Sequence, residues 1–563
     1  MIRRAFLLVA ALASAAPFVP ALGQGASAQK PFVIYVSPAA RQFLSSDSYD
    51  LKSRVNRWRD FLIERGLPYK IVTHPSDLER MPAASPLILP SAAVLPEAEQ
   101  RLIAERLAGG DSLLATWMPG SLDATGAPVP AAFIEKTFGV AARVQPFADK
   151  GFLVTIGDTP LTHSLPAGTR VWVGKEQKYR TPLLTTPGAG YLADWSRTPG
   201  DSGLLAATTV GKSRRVLLGW PESVWDAKSA EHAAIASAAI DWIAGKPVAF
   251  ARTWPAPHKG AVTIGIDALW RFENVLHVAE LAAKHGIHAS FHFLPGDAKA
   301  NEVLIRNLTR YGQSVGGFGD ATQPFAGQPE AEQRARVERM LQGFSEALGN
   351  DVQVKGLRAP QGATDAATER AAAILDYLVD AGRIDSAVPI ATKEGRVVLL
   401  SASANFDGTS TPEAIAAGFA AAKARTRLIG GYAFLGVDAA ALMRDSPVDT
   451  ALASFLEANA AGAAGSPWAA SADEIAEWWR ARSQVKVTHA WTPGENTMAI
   501  DVSAVEALRY PIGIALVPPA GFRSVSLVDA DGASLQPDAD GNPSIVLSAL
   551  PAGTKRLRVR LVP

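Results

Sequence analysis

The sequence contains no cysteine, and this absence excludes several kinds of chemistry. Disulfide bonds, thiolate nucleophiles, thiolate metal ligands and thiol redox reactions all require that side chain. An excess of one charge sign is also lacking, because 55 Lys and Arg residues face 54 Asp and Glu residues. A formal net charge of +1 gives no long-range attraction to nucleic acid or to anionic lipid, so we expect neutral partners.

Long hydrophobic runs are missing as well. The apolar run that follows Arg3 and Arg4 extends only to about Ala16, whereas a membrane span needs roughly 20 residues. A basic start, a short apolar run and the small-x-small sequence ASA at 26–28 are typical of a secretory signal. We therefore expect a signal peptide at residues 1–28, a periplasmic or secreted location, and no membrane span in the mature protein.

The chain is long enough for more than one hydrophobic core. Single cores stop growing at roughly 250 to 300 residues, and this chain has 563, of which 48% are hydrophobic. The element pattern predicts three segments after the signal, at residues 29–250, 258–482 and 485–563. Residues 252–260 are rich in proline and close with glycine, so we interpret them as the linker before the second segment.

The first segment alternates short apolar strands with amphipathic helices. We expect strands at 32–36, 69–72, 86–89 and 215–220, and helices at 51–65, 97–107 and 232–243. Such alternation predicts a doubly wound parallel α/β domain. In layout, and in the stretches GKSRRVLLGWPESVW and DWIAGKP, it resembles the glutamine-amidotransferase-like domain that precedes some deacetylase domains. Amidotransferases use a cysteine nucleophile, so the resemblance implies a non-catalytic scaffold or binding role here.

The second segment alternates in the same way, and the third does not. In the second we expect strands at 261–266 and 288–294, and helices at 272–285, 301–311 and 330–348. The third shows short β-type runs at 485–487, 497–502, 512–517, 524–528, 544–547 and 557–562, separated by Pro, Gly, Asp and Asn. This pattern predicts a small accessory β-sandwich.

Five blocks of the second segment occur in the order of a known family. They are GAVTIGID, AAKHGIHASFHFLP, RYGQSVGGFGDATQPFAGQP, KGLRAPQGATDAAT and DYLVDAGRIDSAV. Together they resemble the polysaccharide deacetylase, or NodB homology, family. The resemblance implies a deacetylase-type (β/α) barrel. It also implies a divalent metal such as zinc, held by one carboxylate and two histidines, which activates a water to attack an N-acetyl group.

The family's metal-binding positions are only partly matched. Asp267 ends the first strand at the position of the family's base, or of its metal carboxylate if the alignment shifts by one residue. Ala268 follows where a second acid is expected. The shared ending FAGQP, residues 325–329, fixes the register of the histidine block and places Phe318 and Thr322 at the two histidine positions.

The remaining motif positions are mixed. Gly436 stands where the family's general-acid histidine should follow the last barrel strand, whereas Arg358 and Pro360 match the arginine-proline motif. In the family that arginine orients the base. Asp320 is the one side chain of the histidine block that could bind a cation. We list Asp267 and Arg358 as candidate catalytic residues, and Trp270, Phe318, Asp320 and Pro360 as candidate substrate-binding residues.

Purely structural roles are alternatives for several of these side chains. Asp267 could cap a helix N-terminus, and Asp385 could stabilise a turn. Four other histidines cluster at positions 277, 285, 288 and 292. On a strand, His288 and His292 would lie ~13 Å apart at ~3.3 Å per residue, too far to share a metal. We interpret the four as surface or rim histidines.

The favoured interpretation is an exported, polysaccharide deacetylase-like protein that binds a polysaccharide or oligosaccharide through a degenerate, metal-poor site. No cofactor is expected. One alternative is an active hydrolase of N-acetyl carbon–nitrogen bonds that uses Asp267 with Arg358, aided by a cation weakly held by Asp267 and Asp320. The other is a structural or assembly protein of an envelope polysaccharide system.

Overall fold

The computed structural model describes most of the chain. The residues described are 30–46, 50–146, 152–173, 180–184, 191–192, 203–225, 229–380, 386–392, 396–461, 465–519, 522, 524–529, 532–538 and 541–562. The predicted signal peptide at 1–28 and the predicted turn residue Asp385 lie outside them. Within the described residues, no helix is both long and apolar enough to cross a membrane.

The first segment is built on a seven-stranded sheet. Its strands are β1 (Phe32–Tyr35), β2 (Tyr69–Val72), β3 (Pro86–Leu89), β4 (Ser112–Thr116), β9 (Tyr191–Leu192), β10 (Leu205–Val210) and β11 (Ser213–Leu218), in the order β2-β1-β3-β4-β11-β10-β9. The first five strands in this order run parallel, and β10 pairs antiparallel with both of its neighbours, β11 and β9. Strands β1, β3 and β11 are buried along their whole length, as expected for a sheet covered on both faces.

Helices and two small hairpin sheets complete this segment. The helices are α1 (Pro38–Phe43), α2 (Leu51–Glu64), α3 (Pro75–Glu79), α4 (Glu97–Ala108), α5 (Ala132–Phe138) and α6 (Ala230–Ile243). The hairpin sheets pair β5 (Ala142–Pro146) with β8 (Arg180–Leu184), and β6 (Phe152–Val154) with β7 (Arg170–Trp172). Helix α2 begins where the carboxylate of Asp50 accepts the backbone N–H of Ser53, which satisfies one of the first-turn donors.

The segment predicted as a linker is instead a strand. Strand β12 (Val248–Pro255) pairs antiparallel with residues 512–517 near the C-terminus. Its backbone carbonyls at positions 251 and 252 accept hydrogen bonds from the guanidinium of Arg482 at 2.6 and 2.5 Å. The indole N–H of Trp478 donates to the carbonyl of Thr253 at 2.9 Å. The prediction of a linker at 252–260 is therefore wrong over its first part, because distant side chains satisfy this backbone.

The second segment is a closed barrel of seven parallel strands. They are β13 (Ala261–Asp267), β14 (Ser290–Phe293), β15 (Ser314–Gly317), β16 (Gly356–Arg358), β17 (Tyr377–Asp380), β19 (Val398–Phe406) and β20 (Tyr432–Asp438). Because β13 pairs with both β14 and β20, the sheet closes on itself. The expected α/β class with a parallel deacetylase-type barrel is confirmed.

Helices connect the barrel strands. They are α7 (Phe272–Lys284), α8 (Pro295–Ala300), α9 (Glu302–Arg310), α10 (Glu330–Leu348), α11 (Ala366–Ala371), α12 (Pro412–Leu428), α13 (Pro447–Ala458) and α14 (Ala472–Ser483). Two short strands, β18 (Ile390–Ala391) and β21 (Trp468–Ala469), pair with β19 and β13 outside the ring. The helices that lie between successive barrel strands return the chain so that the next strand runs parallel to the last, as barrel topology requires.

The last segment forms two four-stranded sheets. Its strands are β22 (Lys486–Thr492), β23 (Thr497–Ala504), β24 (Ile512–Val517), β25 (Ser524–Leu527), β26 (Ala533–Pro537), β27 (Pro543–Leu547) and β28 (Gly553–Val562). One sheet has the order β22-β23-β28-β25, and the other β12-β24-β27-β26. The strand run that we predicted is present, but the second sheet also takes in β12 from before the barrel.

A polar network on α14 joins the barrel to the last segment. The carboxylate of Glu474 accepts hydrogen bonds from Nδ1 of His288 at 2.9 Å and from the hydroxyl of Tyr510 at 2.7 Å. The hydrogen bond to Glu474 raises the pKa of His288 above its ordinary value. Although burial opposes the ionised form, the bonds from His288 and Tyr510 lower the pKa of Glu474 to about 2. The pair is therefore charged at mildly acidic pH, and its charge persists to a higher pH than that of an isolated histidine.

Replacing His288 with Gln should destabilise the protein only at mildly acidic and neutral pH. A histidine whose pKa is raised on folding contributes stability that is present below its unfolded pKa of about 6.5 and lost as the pH rises through the folded pKa. Solvent screens the pair because the His288 side chain is 44% exposed, so we expect a loss of unfolding free energy of about 0.5 kcal/mol at pH 5.5 and no loss at pH 9. Urea unfolding at both pH values measures the difference, with His285→Gln as the matched control. An equal loss at both pH values would contradict the prediction.

Candidate functional site

Three neighbouring strands carry polar residues in their last two positions, at the carboxyl end of the barrel. The parallel register places Asp267 of β13 level with His292 of β14 on one side and with Asp438 of β20 on the other. This end of a parallel barrel is where such folds place their ligands. Asp438 is partly committed to structure, because its carboxylate accepts the backbone N–H of Ala440 at 2.8 Å.

The two candidate catalytic residues are in direct contact. The Nε of Arg358, at the end of β16, donates to Oδ1 of Asp267, and its Nη2 donates to Oδ1 of Asn405 at 2.8 Å. The guanidinium also lies over the ring of Phe434, with Cζ 5.3 Å from the centroid. The side chains of Asp267 and Arg358 are 15% and 9% exposed, so the ion pair is shielded from solvent. Asp267 thus has a fixed, charged partner.

Burial and neighbouring charges set the protonation of this group. Burial raises the pKa of the Asp267 carboxyl, the Arg358 guanidinium lowers it, and Asp438 adds a smaller increase. Burial, followed by the Arg358 charge, lowers the pKa of His292 to about 3. His292 is therefore neutral at physiological pH, with its Nε2 3.2 Å from the hydroxyl of Tyr377.

Asp267 does not cap the helix that follows it. Helix α7 begins after Arg271, which adopts a left-handed conformation with φ +57°, and no side chain caps this N-terminus. Ala268 is fully buried, and its N–H donates to the carbonyl of His292 at 2.9 Å. The alternative of a capping aspartate is therefore wrong, because the carboxylate is turned to Arg358.

The loop that corresponds to the histidine block is held by arginines of α10. Nε of Arg336 donates to Oδ1 of Asp320 at 2.7 Å, and its two terminal nitrogens donate to backbone carbonyls at positions 323 and 324. Arg336 also lies 4.1 Å from the centroid of the Phe325 ring. The second oxygen of Asp320 accepts from Nε of Arg339 at 3.1 Å. Both oxygens of Asp320 are occupied, which disfavours cation binding by this residue.

The residues that the resemblance places at the family's metal positions do not offer the ligands of a catalytic metal. Ala268 and Phe318 offer only hydrocarbon, both are buried, and Thr322 is an exposed hydroxyl. Zinc in hydrolases is held by imidazole and carboxylate ligands, none of which these side chains can supply. Within the part of the chain that the structure describes, no group of three His, Asp or Glu residues is placed to hold a metal ion.

Close packing explains why residue 436 is a glycine. A Cβ at this position of β20 would lie 2.3 Å from Oδ1 of Asn405 and 2.5 Å from Nη2 of Arg358. Real Cβ atoms do not approach that closely, so any larger residue would displace the hydrogen bond between Arg358 and Asn405. The position that the resemblance assigns to a general-acid histidine is filled by the Arg358 guanidinium.

The clustered histidines lie in separate environments. His277 is 3.4 Å from Asp449, and His288 contacts Glu474. The prediction that all four are surface or rim histidines is wrong for His292, which is fully buried. It lies inside the barrel because its strand position faces the same interior as Asp267, which the sequence alone did not show.

The other substrate-binding candidates differ in accessibility. Trp270 is 60% exposed and lies three residues after Asp267 in the loop that follows β13. Phe318 is 7% exposed, and Pro360 is buried in a turn directly after β16. Trp270 is therefore the candidate that can offer a ring face to a ligand.

Sequence reasoning missed Asn405 and Tyr377. Asn405 lies near the end of β19, where the pairing with β20 shifts in register between Ala402 and Ala404. Tyr377 begins β17 and is fully buried beside His292. The signal that could have found Asn405 is an amide in an otherwise apolar strand run, VLLSASANF, although burial does not mark it, because the residue is exposed.

Part of the chain is similar to proteins of a known family. Residues 255–379 match the family model described as "Polysaccharide deacetylase". A comparison with curated proteins found no match. Among solved structures, the chain is similar to Agd3, described as a novel carbohydrate deacetylase, with 11% identity, a TM-score of 0.40, and coverage of 94% of this chain and 98% of that one.

Two further solved structures are similar over less than half of the chain. The pseudoenzyme BA3943 of the CE4 family from Bacillus anthracis has 15% identity and a TM-score of 0.28, covering 39% of this chain and 66% of its own. A family 4 carbohydrate esterase from Streptomyces lividans, in complex with acetate, has 16% identity and a TM-score of 0.25, covering 36% and 89%. Likenesses at this level carry no argument about activity.

Proposed function

We propose that this is an exported protein of polysaccharide metabolism whose barrel binds a glycan without the metal-dependent hydrolysis of the matched family. The observation that carries the proposal is the buried ion pair between Asp267 and Arg358. Asp267, the acid that the resemblance places at the catalytic strand end, is paired with the guanidinium of Arg358. Ala268 stands at the next position, where the family has a second acid. Export rests on the predicted signal at 1–28, and the amidotransferase-like character of the first segment also stays a prediction.

Trp270 is the residue we assign to glycan contact. Sugar rings present C–H faces that pack on aromatic rings, and their hydroxyls hydrogen-bond to a few convergent polar groups. Trp270 is exposed beside the strand end that carries Asp267. A large exposed aromatic side chain at the ligand-binding end of a barrel supports binding, and the ion pair behind it supplies rigidity rather than a free base.

Replacing Trp270 with Ala should weaken glycan binding roughly fivefold to tenfold, because an aromatic contact contributes about 0.5–1.5 kcal/mol beyond its area. A glycan array that includes N-acetylated and deacetylated oligosaccharides identifies the ligand, and titration calorimetry then compares the dissociation constants. Trp172, 53% exposed on β7 of the first segment, provides the matched control Trp172→Ala. Equal loss in both variants would count against binding at the barrel mouth.

Acetate release tests the alternative of an active hydrolase on the same protein. We expect none from N-acetylated oligosaccharides, with or without added divalent ions, in the wild type or in Asp267→Asn. Metal-dependent release that disappears in Asp267→Asn would overturn the non-catalytic proposal. Absence of binding to every glycan would favour a structural or assembly role instead.

A further inference from the structure

A large cavity lies in the first segment, away from the barrel. It has a volume of ≈890 Å³ and is lined by α4 along its whole length, by α5 and by the turn between β10 and β11. The strands β4 and β11 begin beside it, so it lies at the amino end of the parallel sheet. Neither the barrel site nor the proposed function uses it.

The inner wall of the cavity carries a buried cation, Arg215. This residue is 7% exposed, its Nε donates to Oγ of Ser213 at 3.2 Å, and its Nη1 donates to the backbone carbonyl of Thr137. Among the described residues no carboxylate lies within ion-pair distance of it, and burial lowers the pKa of its guanidinium. A buried guanidinium that keeps donors directed at a cavity lacks the anion that would offset its burial.

The rim of the cavity is also basic. Arg101, Lys136 and Lys212 are exposed side chains that line it, and Glu97 is the one acid among its lining residues. None of the three cations is held in an ion pair within the described part of the chain. A concave surface with charges mostly of one sign raises the local concentration of ions of the other sign.

The rest of the lining suits a ligand larger than a simple ion. Phe133, Leu107 and Val210 add apolar surface, and the volume falls in the range of sites for ligands of drug or oligosaccharide size. At the opposite, carboxyl end of the same sheet the buried charge is an acid that already has its partners. There the buried carboxylate of Glu222 accepts hydrogen bonds from the side chains of Trp58, at 2.8 Å, and Thr116, at 2.6 Å. The basic cavity lies at the amino end.

We propose that this cavity binds a carboxylate-bearing oligosaccharide, with one carboxylate paired to the Arg215 guanidinium and others near Lys136 and Lys212. A planar carboxylate matches the geometry of a guanidinium, and apolar walls accept the C–H faces of sugar rings. The saccharide class rests on the proposed function of the barrel, whereas the anionic character rests on the cavity alone. The first segment would then hold an acidic stretch of glycan while the barrel holds another part.

Titration calorimetry with the full-length protein tests the proposal, with trigalacturonate as the acidic probe and maltotriose as the neutral probe of equal length. We expect trigalacturonate to bind and maltotriose not to bind. The variants Lys136→Met and Lys212→Met should each raise the dissociation constant of trigalacturonate roughly tenfold. Arg215→Met should abolish binding. Because Arg215 is buried and its loss could impair folding, the two exposed lysines carry the test.

Controls separate this site from the barrel. Lys284→Met removes an exposed lysine at the end of α7 and should leave binding unchanged. Equal binding of maltotriose would overturn the anionic class, and unchanged binding in both lysine variants would overturn the location. Full competition by inorganic sulfate at equal concentration would overturn the oligosaccharide class. If Trp270→Ala alone abolishes binding, the barrel proposal survives and this one fails.

Discussion

The Arg358→Ala protein is expected to lose about 3–5 kcal/mol of unfolding free energy, because the substitution leaves a buried carboxylate without its counter-charge. Arg358 supplies Asp267 with its ion-pair partner and Asn405 with a donor, and both contacts disappear together. Asp438 lies at the same level of the next strand and adds a second negative charge. Urea unfolding followed by circular dichroism measures the loss.

The loss in Arg358→Ala should depend on pH. Without the guanidinium, burial raises the pKa of Asp267 further above its unfolded value of about 3.9. A carboxyl whose pKa is raised on folding contributes stability below its unfolded pKa and loses that contribution as the pH rises through the folded pKa. The unfolding free energy of the variant should therefore be closest to that of the wild type near pH 4 and furthest below it at pH 8.

A second variant separates the ion pair from simple damage to packing. Replacing both partners, as Asp267→Leu with Arg358→Met, removes the charges and keeps apolar volume, so it should recover much of the stability. Additive losses in the double variant, or a loss in Arg358→Ala that is the same at pH 4 and pH 8, would show that Arg358 does not stabilise the protein through the charge of Asp267.

Replacing Trp254 with Ala should cost a similar amount, about 3–5 kcal/mol, because it empties a fully buried site shared by three parts of the molecule. Trp254 is on β12, its ring lies 5.3 Å from that of Trp479 on α14, and its indole N–H donates to the carbonyl of Gly430 at 2.7 Å. Tyr432 of the barrel lies on its other side, at 6.2 Å. The same urea titration measures the effect.

The conservative variant Trp254→Phe keeps most of the buried ring and loses the hydrogen bond, so we expect it to lose about 1–2 kcal/mol of unfolding free energy.

Limited proteolysis adds an independent check at Arg252 and Lys259, which flank Trp254. The wild type should resist cleavage there, and Trp254→Ala should be cut faster. An unchanged unfolding midpoint in Trp254→Ala would mean that this stretch behaves as the linker that its composition suggested.

Local patterns predicted the elements well and their partners poorly. The helix expected at 330–348 has those bounds, and most other predicted elements differ by one to three residues, because hydrophobic periodicity records which faces are buried. The same periodicity says nothing about which strand pairs with a distant one. Strand β12 was missed because its partner, β24, lies more than 250 residues further along the chain.

The candidate site shows the same division. The register of the five blocks located Asp267 and Arg358, and the structure brings them into contact although 91 residues separate them. The sequence did not reveal that His292 is buried, since a histidine in a short apolar run gives the same pattern whether it faces solvent or the barrel interior. Nor did it reveal that Asp320 is held by Arg336 and Arg339, because that contact depends on how α10 packs against the loop.

What the sequence alone determined is therefore compositional and local. It excluded thiol chemistry and predicted a parallel barrel, and it placed Ala268, Phe318, Thr322 and Gly436 where the resemblance implies metal ligands and an acid. Only the tertiary structure decided that Asp267 is an ion-pair partner and that β12 is a strand. Burial and charge pairing depend on groups brought together by chain closure, and those distances are not encoded in the spacing of neighbouring residues.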